Sequence, residues 1–422
     1  MSPRVRAGAK NNTLQQVQLR QADRGKVALT AVQSSVRLAV VGAGPVGLAL
    51  ALHAATLLPH ATITLFDART LEHDVARDPR TLALALGSVQ LLQRLQSWPE
   101  AAAQSILEVH VSQASPSWRG GEVTLRASEL AVPRLGAVLS YGALVHALQQ
   151  RWLALALAEP QRLRSCFGTA VSGLDNVIGG VTLDAGIHEA FDLAVIAEGG
   201  VFAEQSRKSL THDYAQTAWV GSVTRSGAAA GVAIERFTRA GPLALLPLPD
   251  GVDGTQRAAL VWCVASADDP VRELDQSRRL VLLRSLLPPQ AGQLLSVSPL
   301  KSFALGLNAE RSLVQGRTVR IGNAAQTLHP VAGQGLNLGL RDAVELVTRL
   351  RFSSDVDAAL TGVVWARGLD RWSTIAGTDF LARSFALQAP VVALARGAAL
   401  SLLQASSPAK AWLARHMMFG WR

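Results

Sequence analysis

Three glycines and one acidic residue have the spacing of a nucleotide-binding turn. Gly42, Gly44 and Gly47 follow a short apolar run and precede an Ala/Leu-rich stretch. The first glycine permits a tight turn, the second lets a pyrophosphate approach the backbone, and the third lets helix and strand pack closely. Asp67 ends the next apolar run, about twenty positions later, where a carboxylate can accept hydrogen bonds from a ribose diol. These features predict an adenine-dinucleotide site, because a tight turn without a ligand leaves Asp67 unexplained.

The elements around these residues form a βαβ unit. Residues 38–41 and 62–66 are apolar runs typical of buried strands, and residues 48–58 have the composition of a helix. The glycine motif opens this helix, so the free N–H groups and the positive end of its dipole would face the phosphates.

A second glycine-containing stretch, residues 322–339, has the sequence GNAAQTLHPVAGQGLNLG. It follows a short predicted strand, and the turn Gly333-Gln334-Gly335 opens a long helical pattern. The backbone N–H groups there suit an electron-rich part of a ligand, such as a flavin ring that becomes anionic on reduction or the ribityl and phosphate beside it. A simple dehydrogenase needs no such second site, so this stretch favours FAD over NAD.

The two motifs together resemble the FAD-dependent aromatic hydroxylases of the para-hydroxybenzoate-hydroxylase fold. More narrowly, they look like the ubiquinone-biosynthesis hydroxylases that act on 2-polyprenylphenol and 2-polyprenyl-6-methoxyphenol. Residues 322–342 are similar to the 6-methoxyphenol branch, which has Asn and Gln where most relatives have Asp and His. The resemblance covers roughly residues 36–422. Its further matching pieces are Asp78–Thr81, Tyr214–Ala218, Glu235–Thr238, Gly241–Pro247 and Val261–Cys263.

The resemblance implies a set of residues that bind FAD. The first glycine motif would hold the pyrophosphate, Asp67 the adenosine ribose, and Arg80 would lie near the phosphates. Asn323 would contact the ribityl chain, and the turn around Gly333 would frame the isoalloxazine ring. The predicted cofactor-binding residues are Gly42, Gly44, Pro45, Gly47, Asp67, Arg80, Glu198, Gly199, Asn323, Pro330, Gly333, Gln334, Gly335 and Asn337.

Three positions depart from the family pattern. The family's Asp-Gly motif, thought to serve both FAD and NAD(P)H, appears as Glu198-Gly199, one methylene longer. Asn323 replaces a usual Asp, which keeps hydrogen bonding and loses charge. Residues 140–143 are small and apolar where many members direct Arg or Gln toward the flavin.

The cofactor implies the chemistry. Reduced flavin reacts with dioxygen to give a 4a-hydroperoxide, whose distal oxygen attacks an electron-rich aromatic carbon. A base near a phenol substrate would help, but the sequence singles out no catalytic residue. His329 adjoins the flavin loop, where capping of a turn is an equally good interpretation. No second Gly-x-Gly-x-x-Gly follows a strand, so NAD(P)H is expected to dock transiently on the FAD face, unless electrons arrive from a partner.

Composition excludes several classes of protein. The chain has 422 residues, 49% hydrophobic and 17% charged, which argues against disorder along most of its length. Its two cysteines, Cys166 and Cys263, cannot form a disulfide scaffold, and no Cys/His cluster has the spacing of a metal site. The longest apolar run, residues 39–58, is interrupted by glycines and a proline, so no membrane-spanning segment is predicted.

The formal net charge of +10 is concentrated near the N-terminus. Residues 1–35 carry six basic residues and one acidic residue without steady periodicity, which favours a disordered basic leader. A lipid-binding arm and an organellar presequence are the alternatives. Nothing supports nucleic acid as a partner. We expect a cytoplasmic protein, or one that lies peripherally on the inner membrane.

The predicted fold class is α/β, with a Rossmann-like FAD-binding domain of the para-hydroxybenzoate-hydroxylase type. A mixed β-sheet substrate domain is inserted into it, and helices end the chain. The predicted divisions are a leader at 1–35, an FAD-binding domain at 36–110, 135–205 and 300–350, a substrate domain at 111–134 and 206–299, and a helical region at 351–422.

The leading functional hypothesis is an FAD-dependent monooxygenase that hydroxylates a polyprenylated methoxyphenol on the path to ubiquinone. The alternatives are a flavin hydroxylase of a soluble aromatic acid and a non-catalytic FAD-bound subunit that scaffolds other ubiquinone-biosynthesis proteins. A halogenase is disfavoured, because the chain lacks Trp-x-Trp-x-Ile-Pro and has no lysine between Lys26 and Lys208. The expected partners are the polyprenylphenol and dioxygen. Apolar residues with basic flanks at 410–422 are primarily core, with a membrane surface as the second interpretation.

Overall fold

The first glycine motif lies in a parallel βαβ unit, as predicted. β1 (Arg37–Val41) and β2 (Thr62–Asp67) pair in parallel, and α1 (Pro45–Leu57) connects them. In the computed structural model the described residues are 35–114, 121–199, 209–251, 253–386 and 390–421. The predicted leader therefore lies outside the described residues, except for Ser35.

β1 and β2 belong to a six-stranded sheet whose strands are parallel except at one edge. In spatial order the sheet consists of β19 (Val314–Gln315), β20 (Thr318–Arg320), β12 (Leu193–Ile196), β1, β2 and β8 (Leu163–Phe167). Only β19 runs antiparallel to its neighbour. Both faces of the central strands β1 and β12 are covered, which is why these two strands are nearly continuous apolar runs.

Alternate residues of β1 face two different layers. Leu38 and Val40 pack with helices α1, α3 (Tyr141–Ala158) and α5 (Gln334–Phe352). Ala39 and Val41 pack on the opposite side against a three-stranded antiparallel sheet. That sheet consists of β9 (Gly173–Val177), β10 (Gly180–Asp184) and β11 (His188–Phe191).

A nine-stranded mixed sheet forms the second large layer. Neighbouring strands in this sheet run antiparallel, except that β14 (Val232–Phe237) and β5 (Glu108–Gln113) run parallel. The strand β17 (Gln293–Val297) pairs with β13 (Leu210–Ser226) outside the main order of strands. The main path is β21 (Gln326–Thr327), β18 (Lys301–Ala309), β13 (Leu210–Ser226), β16 (Gln256–Ala265), β15 (Pro242–Leu248), β14 (Val232–Phe237), β5 (Glu108–Gln113) and β6 (Glu122–Arg126), with β17 at Gln293–Val297.

A small antiparallel sheet and the remaining helices complete the described fold. The small sheet has the order β3 (Thr81–Ala85), β7 (Gly136–Ser140) and β4 (Gln104–Ile106). The helices not yet named are α2 (Leu86–Arg94), α4 (Gln276–Leu286), α6 (Val356–Ala386), α7 (Pro390–Ala405) and α8 (Ser407–Phe419). Among the described residues, no helix combines the length and the apolar content needed to span a bilayer.

The predicted α/β class is confirmed: a parallel sheet with its crossover helix, a mixed sheet and C-terminal helices are all present. Residues 36–422 form one compact unit. The division into FAD-binding and substrate domains stays a prediction. Within it, β18 lies in the range assigned to the FAD-binding domain but pairs with β13 of the mixed sheet.

A buried ionic network ties the second glycine motif to the C-terminal helices. Asp342 on α5 is fully buried and accepts hydrogen bonds from Arg367 Nε at 2.8 Å and Gln326 Nε2 at 3.0 Å. Arg371 donates to Gln326 Oε1 at 2.7 Å, and Arg367 also pairs with Asp370. The network therefore links α5, α6 and β21 in one buried cluster.

Replacing Asp342 by alanine should lower the free energy of unfolding by roughly 3–5 kcal/mol, because Arg367 and Gln326 would be left buried with one partner fewer. Urea unfolding would measure the change. Asp357→Ala is the matched control: this carboxylate pairs with Arg317 at the surface with 73% of its side chain exposed, and its loss should cost no more than about 1 kcal/mol. Equal effects of the two substitutions would contradict a structural role for the buried network.

Candidate active site

Three loops meet at the carboxyl edge of the parallel sheet. β1, β12 and β20 are adjacent, with Val41 beside Ile196 and Ile196 beside Arg320. They lead into Gly42, into Glu198-Gly199 and into Gly322-Asn323, so predicted site residues far apart in sequence become neighbours. Ligands of open α/β sheets bind at this edge.

The contacts between these loops are close. A Cβ added at Gly42, whose φ is +102°, would stand 2.8 Å from the Glu198 Cα atom. A Cβ at Gly199 would stand 3.1 Å from the Asn323 Cβ atom. Glu198 therefore borders the first glycine turn and Gly199 borders Asn323, as expected of residues that serve one site. Gly200, which follows Gly199, lies outside the described residues.

The three glycines of the first motif have different surroundings. A Cβ at Gly47 would stand 1.9 Å from the Gly42 carbonyl oxygen, so this position is closed by the protein itself. At Gly44 the nearest atom would be the Tyr141 hydroxyl oxygen, 3.6 Å away. Gly44 is also the N-cap of α1, and no side chain among the described residues caps this helix end. The backbone beside Gly44 is thus open to an anionic ligand.

The second motif lies directly against the first. A Cβ at Gly339 on α5 would stand 2.7 Å from the Gly322 Cα atom and 3.0 Å from Cγ2 of Val46 on α1. Gly322 itself has a φ of +59° and faces the same valine. Helices α1 and α5 cross at this contact, so the two stretches predicted to clasp one nucleotide are in van der Waals contact.

The start of α5 forms a second open helix end. Gly333 is its N-cap with a φ of +58°, and no side chain in the described part of the chain caps it. A Cβ at Gly335 would have no heavy atom within 4 Å. Asn337 holds this turn: its Nδ2 donates to the carbonyls of Ala83 and Gly333, and its Oδ1 accepts from the Ala85 N–H and the Ser88 hydroxyl.

Asp67 lies where the sequence predicts, at the end of β2, and is buried. Its carboxylate accepts the Ala43 N–H at 2.6 Å and two guanidinium N–H groups of Arg69 at 2.9 Å. Burial by itself would raise the pKa of Asp67, but the hydrogen bonds from Arg69 and Ala43 outweigh it and lower the pKa. Sequence reasoning missed Arg69; its position two residues after the acid is the only signal of this pairing.

Arg80 and Tyr141 lie together beside Gly44. The Arg80 guanidinium carbon is 4.1 Å from the centre of the Tyr141 ring, and Nη2 of Arg80 pairs with Oδ2 of Asp78 at 2.7 Å. Arg80 was predicted near the phosphates, whereas Tyr141 belongs to the segment that departs from the family pattern. The small residue beside it has a local cause, because a Cβ at Gly142 would stand 2.4 Å from the Ala76 carbonyl oxygen.

His329 caps a turn. Its Nδ1 accepts the Val331 N–H at 3.1 Å, so the ring proton lies on Nε2, which donates to Gln216 Oε1 at 2.9 Å. The side chain is buried, and burial lowers its pKa to about 4. Of the two interpretations of the sequence, this geometry favours the structural one.

A cavity of about 420 Å³ lies between the mixed sheet, the C-terminal helices and the turn that opens α5. Its wall is mostly aliphatic, and the α5 turn contributes Pro330, Gly333 and Gln334. Ionisable side chains in the wall are Glu235 and Cys263. Burial raises the pKa of Glu235 to about 7, and burial together with Glu235 raises that of the Cys263 thiol. The sequence signal for Glu235 is weak, because this acid and Arg236 follow each other on a strand whose other residues are apolar.

Known proteins are similar to this chain in sequence and in fold. Residues 212–359 match the family model described as an FAD binding domain. The 3-demethoxyubiquinol 3-hydroxylase of Escherichia coli K12 is 30% identical over 342 residues, which cover 78% of this chain and 82% of the relative. Ubiquinone hydroxylase UbiL of Rhodospirillum rubrum is 35% identical over 215 residues, and this match spans 49% of either protein. Klebsiella pneumoniae HpxO, crystallised with FAD and uric acid, has the same fold, with a TM-score of 0.66 and 16% identity over 91% of this chain and 96% of that one.

The fold, the two open helix ends and the matched domain define an FAD-dependent monooxygenase. The aromatic-hydroxylase fold expected from the sequence is therefore confirmed. Within this class, the chain belongs to the FAD-dependent hydroxylases of ubiquinone biosynthesis.

Replacing Gly44 by valine should give a folded but colourless protein, because the added atoms would occupy the open side of the turn where a pyrophosphate would approach. Flavin absorbance after purification and far-UV circular dichroism would measure the two properties. Gly47→Val is the contrasting variant: its Cβ would clash with the Gly42 carbonyl, so the fold itself should be lost. Stoichiometric FAD on the Gly44 variant would refute the pyrophosphate assignment.

Proposed function

We propose that this protein uses FAD to hydroxylate the ring of a polyprenylated phenol or methoxyphenol on the path to ubiquinone. The observation that carries the proposal is the aliphatic cavity of about 420 Å³, whose wall includes the turn that opens α5. Its size lies within the range of small-molecule sites, roughly 300–1,000 Å³, and its lining suits an isoprenoid chain attached to a ring.

The surroundings of the predicted FAD residues support a role in holding the cofactor. The open backbone at Gly44, with Pro45 at the start of α1, would hold the pyrophosphate, and Arg80 would lie beside it. Asp67 would accept the ribose hydroxyls by exchanging part of its pairing with Arg69. The predicted contacts to the ribityl chain and the flavin ring come from two groups of residues: Glu198, Gly199 and Asn323 at the carboxyl edge of the parallel sheet, and Pro330, Gly333, Gln334 and Gly335 at the turn that opens α5.

When bound and reduced, the flavin supplies activated oxygen for attack by an electron-rich aromatic carbon. The chain supplies the surroundings. The uncapped N–H groups at the start of α5 would stabilise negative charge on the flavin side of the cavity. The aliphatic wall would exclude water that competes with the substrate. Asn337 would act by holding the Gly333 turn in place, since its amide group is fully hydrogen-bonded to the protein.

We further propose NAD(P)H as a transient electron donor. The sequence has no second Gly-x-Gly-x-x-Gly after a strand that could form a separate nicotinamide-binding site. Glu198-Gly199, which occupies the family's Asp-Gly position, borders Gly42 and Asn323, and this position supports docking of the donor on the FAD face.

Purified holoenzyme should consume NADPH or NADH and add one oxygen atom to a short-chain prenylated methoxyphenol. Flavin bleaching and product mass would measure the two half-reactions, with 4-hydroxybenzoate as the matched soluble substrate. Faster hydroxylation of 4-hydroxybenzoate than of the prenylated phenol would contradict the proposed substrate and favour a soluble aromatic acid. Flavin that no donor reduces would favour the non-catalytic scaffold. Cells that lack the protein should accumulate a quinone precursor missing one hydroxyl group.

A membrane-facing surface would give such a substrate access. Four exposed side chains lie along one face of α6, since their successive spacings are four, three and eight residues: Trp365, Leu369, Trp372 and Phe380. Trp365 is 81% exposed. The Trp421 indole donates to Ser373 of the same helix and packs against the exposed Trp412 of α8, so the apolar surface extends to the chain's end.

We propose that this surface contacts an anionic bilayer. Arg415, one turn from Trp412, is exposed, and the chain's net charge is +10, which complements anionic lipid. α7 and α8 also contribute Leu403, Leu413 and Met417 to the cavity wall. These two helices therefore lie between the exposed apolar surface and the cavity. Aromatic and aliphatic side chains beside basic residues are typical of interfacial helices.

Wild-type protein should co-sediment with vesicles of phosphatidylcholine and phosphatidylglycerol. The double variant Trp365→Ser, Leu369→Ser should bind them at least about tenfold more weakly, because it removes two exposed apolar side chains from the surface. Leu157→Ser, which removes an 84% exposed leucine from α3, is the matched control and should bind normally. Equal binding of all three proteins would exclude this surface, and a wild-type dimer that the double variant abolishes would assign it to self-association.

A further inference from the structure

Glu235 is an acid on an apolar face of the mixed sheet. Successive side chains of β14 alternate, so Ala233, Glu235 and Phe237 face the cavity. The residues registered with Glu235 on the neighbouring strands are Val111 of β5 and Ala244 of β15, and both also line the cavity. A carboxylate therefore lies in the middle of an aliphatic wall.

This carboxylate has no hydrogen bond or ion pair within the described part of the chain. Cys263 of β16 is the other ionisable group in the cavity wall, and its thiol is neutral. The nearest titratable groups on β14 and β5 belong to the opposite face: Arg236 follows Glu235 along the strand, and His110, whose pKa burial lowers, is registered with Ile234. From β15, β6, α7, α8 and the α5 turn, the described residues in the cavity wall are uncharged.

An unpaired carboxylate in such surroundings lowers the stability of the fold, since burial disfavours its charged form. An aliphatic residue would pack as well against Val111 and Ala244. The packing of the sheet therefore gives no reason for an acid at this position, whereas a polar ligand in the cavity would. The ligand group that suits a lone carboxylate is a hydrogen-bond donor, and in a phenol that donor is the ring hydroxyl.

We propose that Glu235 binds the phenolic hydroxyl of the substrate and accepts its proton during hydroxylation. The inference rests on the proposed function, because it takes a phenol as the cavity's ligand. The O–H bond of the phenol breaks, the proton moves to a carboxylate oxygen of Glu235, and the electron pair stays on the phenolic oxygen. The ring gains electron density at the positions ortho and para to that oxygen, and the total charge of the pair is unchanged.

The ionisation of Glu235 matches this role. Burial raises its pKa to about 7, so the group is a carboxylate above that pH and a neutral acid below it. A general base works best when its pKa lies near the operating pH. kcat/KM for hydroxylation should therefore fall as pH drops through about 7, because the fraction of free enzyme with an ionised Glu235 falls.

Binding tests the contact without turnover. Oxidised holoenzyme at pH 8 is titrated with a short-chain prenylated phenol and with its methyl ether, which cannot donate a hydrogen bond, and the flavin spectrum reports occupancy. Wild type should bind the phenol roughly ten- to a hundredfold more tightly than the ether, as expected for a hydrogen bond to a charged group. Glu235→Leu should bind the two ligands about equally. The same preference in both proteins would overturn the proposal.

Turnover tests the proton transfer. Glu235→Gln keeps the shape of the side chain, so it should retain FAD and its reduction while hydroxylation falls by about 10²–10⁴-fold. Its pH profile should lose the acidic limb near pH 7. Glu122→Gln, which changes an exposed acid on β6, is the matched control and should behave as wild type.

The outcomes separate this inference from the proposed function. A wild type that hydroxylates prenylphenols, with a Glu235→Gln variant of equal rate and unchanged pH profile, would refute the role of Glu235 alone. A wild type that hydroxylates no phenol but prefers phenol to ether through Glu235 would refute the proposed function and leave the binding site standing.

Discussion

The architecture of the site depends on close backbone contacts that only glycine permits. Gly47 of α1 packs against the carbonyl of Gly42 in the turn that precedes this helix. Gly339 of α5 packs against Gly322 where α5 crosses α1. A side chain at Gly339 would separate the two helices, and one at Gly47 would push α1 away from the turn at Gly42. Because the helices touch, their N-terminal ends lie close to one edge of the parallel sheet, and two sets of free N–H groups become available to one extended ligand. The contact between α1 and α5 therefore sets the distance over which a cofactor would extend between the two helix ends.

Polar groups then hold α5 along its length. Asn337 ties its first turn to β3 and α2 through three hydrogen bonds, and a fourth reaches the carbonyl of Gly333 within the turn itself. Further along the helix, Asp342 joins Arg367 and Gln326 in the buried network. His329 contributes a third constraint, since it connects the preceding turn to β13 through Gln216. All three groups act within the protein, so the binding turn is preorganised by residues that need not touch a ligand.

The sequence predicts what local spacing determines. The βαβ unit, the glycine turns and the placement of Asp67 follow from patterns a few residues long, and the fold class follows from their order. Tyr141 could not be found in this way, because it reaches Arg80 through the antiparallel pairing of β3 with β7, some sixty positions away. Glu235 was hidden for another reason. Both faces of β14 pack in the interior, so an acid in its sequence resembles the polar half of an ordinary half-exposed strand until the register is known.

The position of α7 and α8 bears on which molecules the protein distinguishes. Leu400, Leu403 and Met417 line the cavity, whereas Leu402 and Trp412 on the same two helices are exposed. If the proposed substrate binds there, a space of about 420 Å³ would hold the substituted ring and the first units of its isoprenoid tail, but not a long tail. The remainder would lie across apolar helix surfaces that continue to the outside. The protein would then select substrates by their ring substituents, and substrates that differ only in tail length would bind and react alike.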